Sequence, residues 1–408
     1  MQTLYDRLRK KLSREPLPSE AQREQARDRQ DGLDHDPGPA RAISAGLRWL
    51  CRAQDQSQTE DGGVARHYSL IDGWASSYPE TTGYIIPTLI EQSEALRDPE
   101  LLERARRMLD WLAEIQLFDG AFQGGLVDSD PRVPVTFNTG QILLGLAAGA
   151  QKFGEPYSHA MRRAANWLTD PQDADGCWRA FPTPFAGPGE KVYETHVAWG
   201  LLEAANVDGS AKFARAALRN IRWALTKQHP NGWFDNCCLN DCVRPLTHTL
   251  GYVLRGVVEG WRYSGDPELL AAARRTADGI LSAQREDGSL SGRLDRNWRG
   301  RVDWVCLTGV AQISSCWLLL FARTGETNYR EAAQRANRYV RRTLRLDVSD
   351  DERGAVKGSF PVDGDYGKYQ YLNWACKFMI DANHLERTLS NAPCVPRALR
   401  ALSDHVTR

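Results

Sequence analysis

Apolar residues along this chain recur at helical spacing within a unit that returns five times, about every 56–62 residues. Each unit carries a Trp, four further residues and a Gln, followed by a short turn that contains Gly. The pairs are Trp49 and Gln54, Trp111 and Gln116, Trp167 and Gln172, Trp223 and Gln228, then Gln284 with Gly279 in the Trp position, and a degenerate sixth pair of Tyr339 and Leu344. A repeat of this length is one supersecondary unit that buries its apolar face against its neighbours.

The Trp–Gln segment of each unit is predicted to be an amphipathic helix. Around Trp111 the apolar positions recur at three and four residues, from Leu101 to Ile115, which is the pattern of one buried helical face. An Asp–Gly or Asn–Gly pair follows each helix, and Gly after the last turn is the expected stop. These pairs begin at Asp61, Asp119, Asp175, Asn231 and Asp287.

A second, more apolar helix follows in every unit, and we expect it to form the inner layer. The predicted inner helices are 81–95, 136–150, 194–207, 246–262, 304–323 and 371–384. The links from an inner helix to the next outer helix are short, whereas those from outer to inner helix are long and rich in Trp, Tyr and Gly. Long loops of this kind are often functional, so the sequence predicts a site on one rim.

Six hairpins of this kind predict an all-α fold, an (α/α)6 toroid over residues 41–385. A charged N-terminal arm (1–40) and a C-terminal tail (386–408) are expected outside it. The turn at 172–178 (QDADGCW) resembles the QW repeat of squalene cyclases and protein prenyltransferases, and 228–233 (QHPNGW) is a shorter version. The segments 304–312 and 324–329 are similar to the last hairpins of glucuronyl C5-epimerases. The resemblance implies the toroid shared with six-hairpin glycosidases, polysaccharide lyases and sugar epimerases.

Composition narrows the function by exclusion. The 52 basic and 52 acidic residues balance to zero formal charge, so no nucleic-acid footprint is visible. No signal peptide and no run of 18 apolar residues is apparent, and we expect no membrane span. The nine cysteines are scattered, which is typical of a reducing compartment, so a cytoplasmic location is expected.

Polar clusters at the starts of the inner helices are the candidates for chemistry. Glu80, Glu194 and Asp303 are predicted acid/base carboxylates. His248 and Tyr252 are further candidates for proton transfer. The alternative for each carboxylate is a helix cap or an ion pair with Arg, and for His248 a satisfied core histidine.

Residues near these clusters are the expected substrate contacts, because aromatic faces bind sugar rings and Arg binds carboxylates. The predicted binding residues are Arg66, His67, Trp74, Tyr84, Asn138, Tyr193, His196, Trp304, Lys357, Tyr369, Tyr371 and Asn373. Arg293 and Arg301 are further candidates for carboxylate binding. Trp178 and Trp233 are instead expected to fill the repeat turns.

Cofactor motifs are absent from the sequence. Cys237, Cys238 and Cys242, with His248 nearby, offer ligands that suit zinc, but their spacing matches no standard zinc motif. We therefore expect no cofactor and no metal. The chain also lacks the Asp-x-Asp-Asp acid of squalene–hopene cyclases.

The predicted function is that of a carbohydrate-active enzyme whose substrate is a glycan or oligosaccharide, preferably anionic. Hydrolysis, β-elimination and epimerisation all need an acid/base pair around one sugar, and the sequence leaves these three open. Two other classes remain as alternatives. One is a terpene or prenyl enzyme on the same toroid, and the other is a non-catalytic glycan-binding scaffold.

Overall fold

A computed structural model describes residues 16–30, 32–187 and 189–391 of the chain. Helices dominate these residues, joined by long loops with short strands. The helices are α1 (Ser19–Gln30), α2 (Pro39–Asp55), α3 (Pro79–Leu96), α4 (Pro99–Ile115), α5 (Thr136–Phe153), α6 (Tyr157–Thr169), α7 (Thr195–Asp208), α8 (Ala211–Leu225), α9 (Thr247–Ser264), α10 (Pro267–Ser282), α11 (Leu307–Thr324), α12 (Thr327–Arg342) and α13 (Asn373–Asn391).

From α2 onward, outer and inner helices alternate. The inner helices α3, α5, α7, α9, α11 and α13 pack side by side in chain order, and α13 closes the ring by packing against both α3 and α2. The fold is therefore the predicted all-α (α/α)6 toroid. Glycines let the inner helices approach closely: a Cβ added at Gly145 would lie 2.1 Å from the carbonyl oxygen of Gly83. The last inner helix continues to Asn391, past the expected boundary at residue 385.

The repeated Gln fastens each repeat to the next. Nε2 of Gln116 donates to the carbonyl of Gly120 in its own turn and to that of Ala160 in the following outer helix, while Oε1 accepts from Arg163. An Arg of the following outer helix also donates to Oε1 of Gln54, Gln172, Gln228 and Gln284. A side-chain amide that satisfies both its donor and its acceptor explains the periodic Gln.

The irregular copies have a packing explanation. Gly279 replaces the repeated Trp because Trp298 from a neighbouring loop fills that space, and a Cβ at Gly279 would lie 2.2 Å from its ring. In the sixth copy Gly354 has φ +81°, and a Cβ there would lie 2.5 Å from the carbonyl oxygen of Ala45 in α2. The last turn thus meets the first helix. As expected, Trp178 and Trp233 are buried in their turns.

Six long loops lead from outer to inner helices and lie on the rim formed by the inner-helix N-termini, as predicted. Loops 1 to 6 are residues 56–78, 116–135, 170–194, 226–246, 283–306 and 343–372. Loop 1 carries β1 (His67–Ser69) and β2 (Gly73–Trp74), loop 5 carries β3 (Val305–Cys306), and loop 6 carries β4 (Ser359–Phe360) and β5 (Gln370–Leu372). Antiparallel pairing joins β1 to β2 and β5, and β3 to β4, so loop 6 is tied to loops 1 and 5.

Part of the expected N-terminal arm is an ordered helix that docks on loop 6. The carboxylate of Asp28 accepts from Nζ of Lys357 at 2.5 Å and from the backbone N–H of Val362 at 2.9 Å. Arg345 donates to Glu24 at 3.0 Å and to Asp28 at 3.2 Å. These buried charges pair with one another, which burial requires. Residues 1–15 and the tail from 392 onward lie outside the described residues.

Within the described residues, no helix combines the length and the apolar character that a membrane crossing would need.

Candidate functional site

Glu80 is the buried carboxylate at the start of inner helix α3. The hydroxyl of Tyr78 donates to its Oε2 at 2.6 Å. Burial raises the pKa of Glu80 to about 7, while the Tyr78 hydrogen bond and the charge of Arg66 act in the opposite direction. A carboxyl group with a pKa near neutrality can both accept and give a proton at physiological pH.

Tyrosines surround this carboxylate. Burial is the first cause of the raised pKa values of Tyr78, Tyr84, Tyr193 and Tyr252, and the charge of Glu80 raises each of them further. The rings of Tyr193 and Tyr252 lie 6.5 Å apart, and both contact Phe137. These phenols stay protonated at neutral pH, so the tyrosines can act as proton donors around one carboxylate.

Arg66 brings a positive charge to the same place. Its guanidinium lies 5.6 Å from the ring centre of Tyr78 and 5.1 Å from that of Trp374. Its Nη1 lies 3.0 Å from Nδ1 of His67. In the described part of the chain, no carboxylate approaches Arg66 within 4.0 Å. Its hydrogen-bonding fork is therefore available to an anionic ligand.

Buried polar atoms without a partner concentrate in this region. Among the described residues they include the hydroxyls of Tyr193 and Thr308, Oε2 of Glu194 and Nδ1 of His248. Buried polar groups are normally satisfied, and a set of exceptions in one place points to bound water or ligand. The inner-helix N-termini therefore surround a cluster of buried polar groups, which we call the polar pocket.

Loop 6 covers the pocket with Tyr366. The indole Nε1 of Trp374 donates to the Tyr366 hydroxyl at 2.9 Å, and the Tyr366 ring lies 4.6 Å from the ring of His248. Burial, and then the charge of Arg293, lower the pKa of His248 to about 3. His248 is neutral at physiological pH and lies beside Tyr252, at 5.4 Å between ring centres.

Glu194 is a second buried carboxylate, directly before inner helix α7. Burial raises the pKa of Glu194 to about 8, and the charge of Lys191 acts in the opposite direction. Burial raises the pKa of Tyr193, and the charges of Glu194 and Glu80 raise it further. One oxygen of Glu194 has no hydrogen-bond partner among the described residues.

Three other predicted residues line or support the pocket. Nδ1 of His196 lies 2.6 Å from Oε1 of Gln141, and its ring is 4.6 Å from that of Tyr252. The side chain of Asn373 donates to the carbonyl of Ala65 at 2.9 Å and holds the start of α13 to loop 1. His67 neighbours Arg66, and its pKa is lowered to about 4 by burial and by that charge.

The structure corrects the expected roles of Lys357 and Asp303. Lys357 is fully buried and its ammonium pairs with Glu24 and Asp28, so it holds α1 to loop 6 and is not free for substrate. Asp303 was expected to open an inner helix, but α11 begins at Leu307 and Asp303 is exposed in loop 5. Trp304, next to it, packs against Gly292, where a Cβ would lie 2.1 Å from the indole ring.

Some aromatic residues of loops 1 and 6 form hydrogen bonds with residues outside the pocket. The hydroxyl of Tyr371 donates to Glu352 at 3.0 Å, and Nε1 of Trp74 donates to Asp351 at 3.2 Å. Burial raises the pKa of Tyr369, and the charge of Asp363 raises it further while that of Arg29 lowers it. The Trp74 bond therefore ties loop 1 to loop 6, whereas the Tyr371 bond lies within loop 6. Arg301, the further carboxylate candidate, is paired with Asp295.

The predicted catalytic and binding residues did not include Tyr78, Tyr366, Trp374 and Gln312. Tyr78 precedes Glu80 by two residues, which was the available signal for it. Tyr366 stands in the glycine-rich part of loop 6, and only the folding of that loop over the inner helices brings it to His248.

The cysteine cluster of loop 4 gives no support to a zinc site. Cys238 and Cys242 form a disulfide, although the scattered cysteines predicted a reducing compartment. Sγ of Cys237 donates to the carbonyl of Thr249 at 3.2 Å. Across the described ranges, no group of three His, Cys, Asp or Glu side chains is arranged to hold a metal ion.

Comparisons with known proteins agree with this fold. Residues 63–256 match the sequence profile of the squalene-hopene cyclase C-terminal domain. No curated protein sequence matches the chain. The structure is similar to an unsaturated glucuronyl hydrolase specific for heparin, with a TM-score of 0.68 and 14% identity over 87% of this chain and 98% of that one.

Two further solved structures have the same architecture. An unsaturated glucuronyl hydrolase from Bacillus sp. GL1 has a TM-score of 0.66 and 18% identity over 86% of this chain and 97% of that one. Cellobiose 2-epimerase from Bacillus thermoamylovorans has a TM-score of 0.65 and 11% identity over 84% and 96%. At these identities the likeness establishes the (α/α)6 toroid, and the function has to be argued from the site.

Proposed function

We propose that this protein is an enzyme that acts on a glycan by acid/base chemistry at Glu80. The observation that carries the proposal is Glu80 itself, a buried carboxyl with a pKa of about 7 that is hydrogen-bonded to Tyr78 and ringed by further tyrosines. Sugar-acting enzymes of the same fold, the glucuronyl hydrolases and the epimerase named above, add support by analogy.

The substrate is proposed to carry a carboxylate that binds Arg66. The guanidinium lies between two aromatic rings, without a protein carboxylate in ion-pair range among the described residues. A planar fork of donors suits a carboxylate, and the rings of Tyr78 and Trp374 suit the apolar face of a sugar. A uronic acid residue combines both features.

Removal of a proton from the carbon that bears this carboxylate is the reaction that the site supports best. Glycoside hydrolysis ordinarily uses two carboxyl groups at the scissile bond, whereas the hydrogen-bond partner of Glu80 is the hydroxyl of Tyr78. One carboxylate among protonated tyrosines instead suits a base facing an acid. Arg66 would stabilise the negative charge that develops on the substrate carboxylate.

In the proposed step Glu80 takes the proton, and the electron pair of the C–H bond passes into the substrate carboxylate to give an enediolate. Return of a proton from the hydroxyl of Tyr252 to the opposite face gives the epimer. Expulsion of the neighbouring glycosidic oxygen, with the same hydroxyl protonating that oxygen, gives an unsaturated sugar instead. Exchange with water restores the Glu80 carboxylate and the Tyr252 phenol.

The experiment is incubation of uronate oligosaccharides with the protein in D2O, followed by NMR and mass spectrometry. Epimerisation is expected to place deuterium at the carbon beside the carboxylate in an intact chain, whereas elimination is expected to give a new double bond at that carbon, which then carries no hydrogen. Chain cleavage without a new double bond and without deuterium at that carbon would establish hydrolysis and overturn the proposed step. No change in any acidic glycan would overturn the proposal as a whole.

The match to squalene-hopene cyclases gives one specific reason for a second candidate, an enzyme acting on an isoprenoid. The matched segment contains three copies of the Trp–Gln repeat, which fix the fold rather than the chemistry. The polar pocket around Arg66 and Glu80 suits a charged sugar better than a hydrocarbon chain. Incubation with squalene and prenyl diphosphates tests this candidate, and product formation there would favour it over the glycan.

A further inference from the structure

A second half-buried cation lies on loop 5 beside the start of α9. The backbone of Arg293 pairs with that of Leu246, and the N–H of Thr247 donates to the carbonyl of Gly292 at 3.0 Å. These contacts hold loop 5 directly against the helix turn that carries His248. Nη1 of Arg293 donates to the carbonyl of Arg244 at 2.7 Å, which fixes the guanidinium in place.

The charge of Arg293 is not neutralised by a close carboxylate. Nearby Asp241 is held by Arg244 at 3.0 Å, and Asp295 of the same loop pairs with Arg301. Within the described residues, no carboxylate lies within 4.0 Å of Arg293. The other rim cations that are shielded from solvent include Arg345 and Lys357, and both of those are paired. The guanidinium of Arg293, like that of Arg66, is therefore available to an anionic ligand.

His248 adds a second observation that points to a ligand. Its side chain is 4% exposed, and Nδ1 has no hydrogen-bond partner among the described residues. The pKa of His248 is lowered by burial and by Arg293, so the ring is neutral and offers an uncharged donor or acceptor. Its ring lies 4.6 Å from that of Tyr366, so His248 belongs to the covered pocket.

A row of contacting rings links the two arginines. Arg66 lies over Trp374, the Trp374 indole donates to Tyr366, and Tyr366 faces His248. The backbone of Arg293 pairs with that of Leu246, two residues before His248. Aromatic faces in such a row suit sugar rings, and guanidinium groups at the ends suit anionic substituents.

We propose that Arg293 and His248 form a second anion-binding position, so that the substrate is a glycan chain with acidic groups on separate residues, one at Arg66 and one at Arg293. This inference rests on the proposed function, since it extends the same site. A carboxylate and a sulfate ester share the chemistry that Arg293 recognises, and the choice of probes separates them.

The test is isothermal titration of four proteins: the wild type, Arg66→Gln, Arg293→Gln and Arg299→Gln. Arg299 is an exposed arginine of the same loop and serves as the matched control. The probes are a glucuronate tetrasaccharide with two carboxylates, the same chain with one or both carboxylates reduced to alcohols, and a chain with one carboxylate and one sulfate ester. Arg293→Gln is expected to weaken binding of the two-carboxylate chain by about 10- to 100-fold.

The same variant should bind the one-carboxylate chain as the wild type does, and Arg299→Gln should match the wild type on every probe. If Arg293→Gln instead weakens binding of the chain with one carboxylate and one sulfate ester, sulfate is identified as the second group. If Arg293→Gln binds the two-carboxylate chain as tightly as the wild type while Arg66→Gln does not, the second position is refuted and the proposed function stands. If the wild type binds none of the acidic chains, both fail.

NMR titration of His248 gives a readout that a purely structural role of Arg293 would not produce. An anion bound at Arg293 offsets the charge that lowers the pKa of His248, so that pKa should rise when the two-carboxylate chain is added. The one-carboxylate chain should leave it unchanged. An equal effect of both chains would contradict a separate second position.

Discussion

The hydroxyl of Tyr78 donates a hydrogen bond to Oε2 of Glu80 across 2.6 Å at the mouth of an inner helix. This contact holds the carboxylate in place while burial keeps its pKa near 7. Most consequences of the proposed chemistry can be tested through this pair and its neighbours.

Replacement of Glu80 by Gln keeps the size of the side chain and removes the titratable proton. If Glu80 is the base, turnover of uronate oligosaccharides should fall by roughly 10²–10⁴-fold while the protein remains folded. Glu286→Gln, an exposed carboxyl on loop 5, is the matched control. Unchanged turnover in a folded Glu80→Gln protein would remove Glu80 from the reaction.

The same substitution is expected to change the pH dependence of the free energy of unfolding. The pKa of Glu80 is raised from 4.5 to about 7 in the fold, so its buried charge destabilises the protein progressively as pH rises from about 4.5 to about 7. Glu80→Gln should equal the wild type at pH 4 and exceed its free energy of unfolding by ~3 kcal/mol above pH 8. Urea unfolding at these pH values measures the difference, and parallel curves would show that Glu80 is not buried as described.

Arg66→Gln should act on the pH profile as well as on affinity. Arg66 lowers the pKa of Glu80, so its loss should move the rising limb of kcat/KM from near pH 7 to higher pH, because the base is active only when ionised. Exposed Arg132→Gln provides the control. A raised KM with the limb unmoved would mean that Arg66 binds substrate without influencing Glu80.

Lys357→Met should destabilise the fold and leave substrate specificity unaltered. The substitution keeps an apolar stem of similar length but removes the ammonium that pairs with Glu24 and Asp28. Removal of one partner from a buried charge group costs about 3–5 kcal/mol. Denaturant unfolding beside the exposed control Lys368→Met measures this cost. A loss below 1 kcal/mol would contradict the structural role assigned to Lys357.

Truncation of Tyr366 tests whether this residue covers the pocket. Tyr366→Phe keeps the ring that faces His248, whereas Tyr366→Ala removes it. We expect the Ala variant to raise KM by roughly 2- to 10-fold, which corresponds to one lost aromatic contact, and the Phe variant to stay near the wild type. Equal KM values for all three proteins would show that the ring does not contact substrate.

The toroid could be predicted from sequence because the contacts that define each repeat are made between residues close together in the sequence. Gln116 is bound by Gly120, Ala160 and Arg163, all within one repeat length, so the same contacts recur wherever the motif recurs. Glu80 and Arg66 could also be chosen as candidates from the sequence, because a helix start and a long loop are visible as local patterns.

The tertiary structure alone decided which of the candidate residues face one another. Lys357 has the same local appearance as a site residue, yet its ammonium is paired with Glu24 and Asp28 of α1. Tyr366 reaches His248 only because loop 6 is held between loops 1 and 5 and fastened by α1. The geometry of the repeats depends on contacts between residues that are close in the sequence, so the spacing of the motif predicts it. Side-chain pairing across the rim depends on contacts between loops that are distant in the sequence, so the spacing does not predict it.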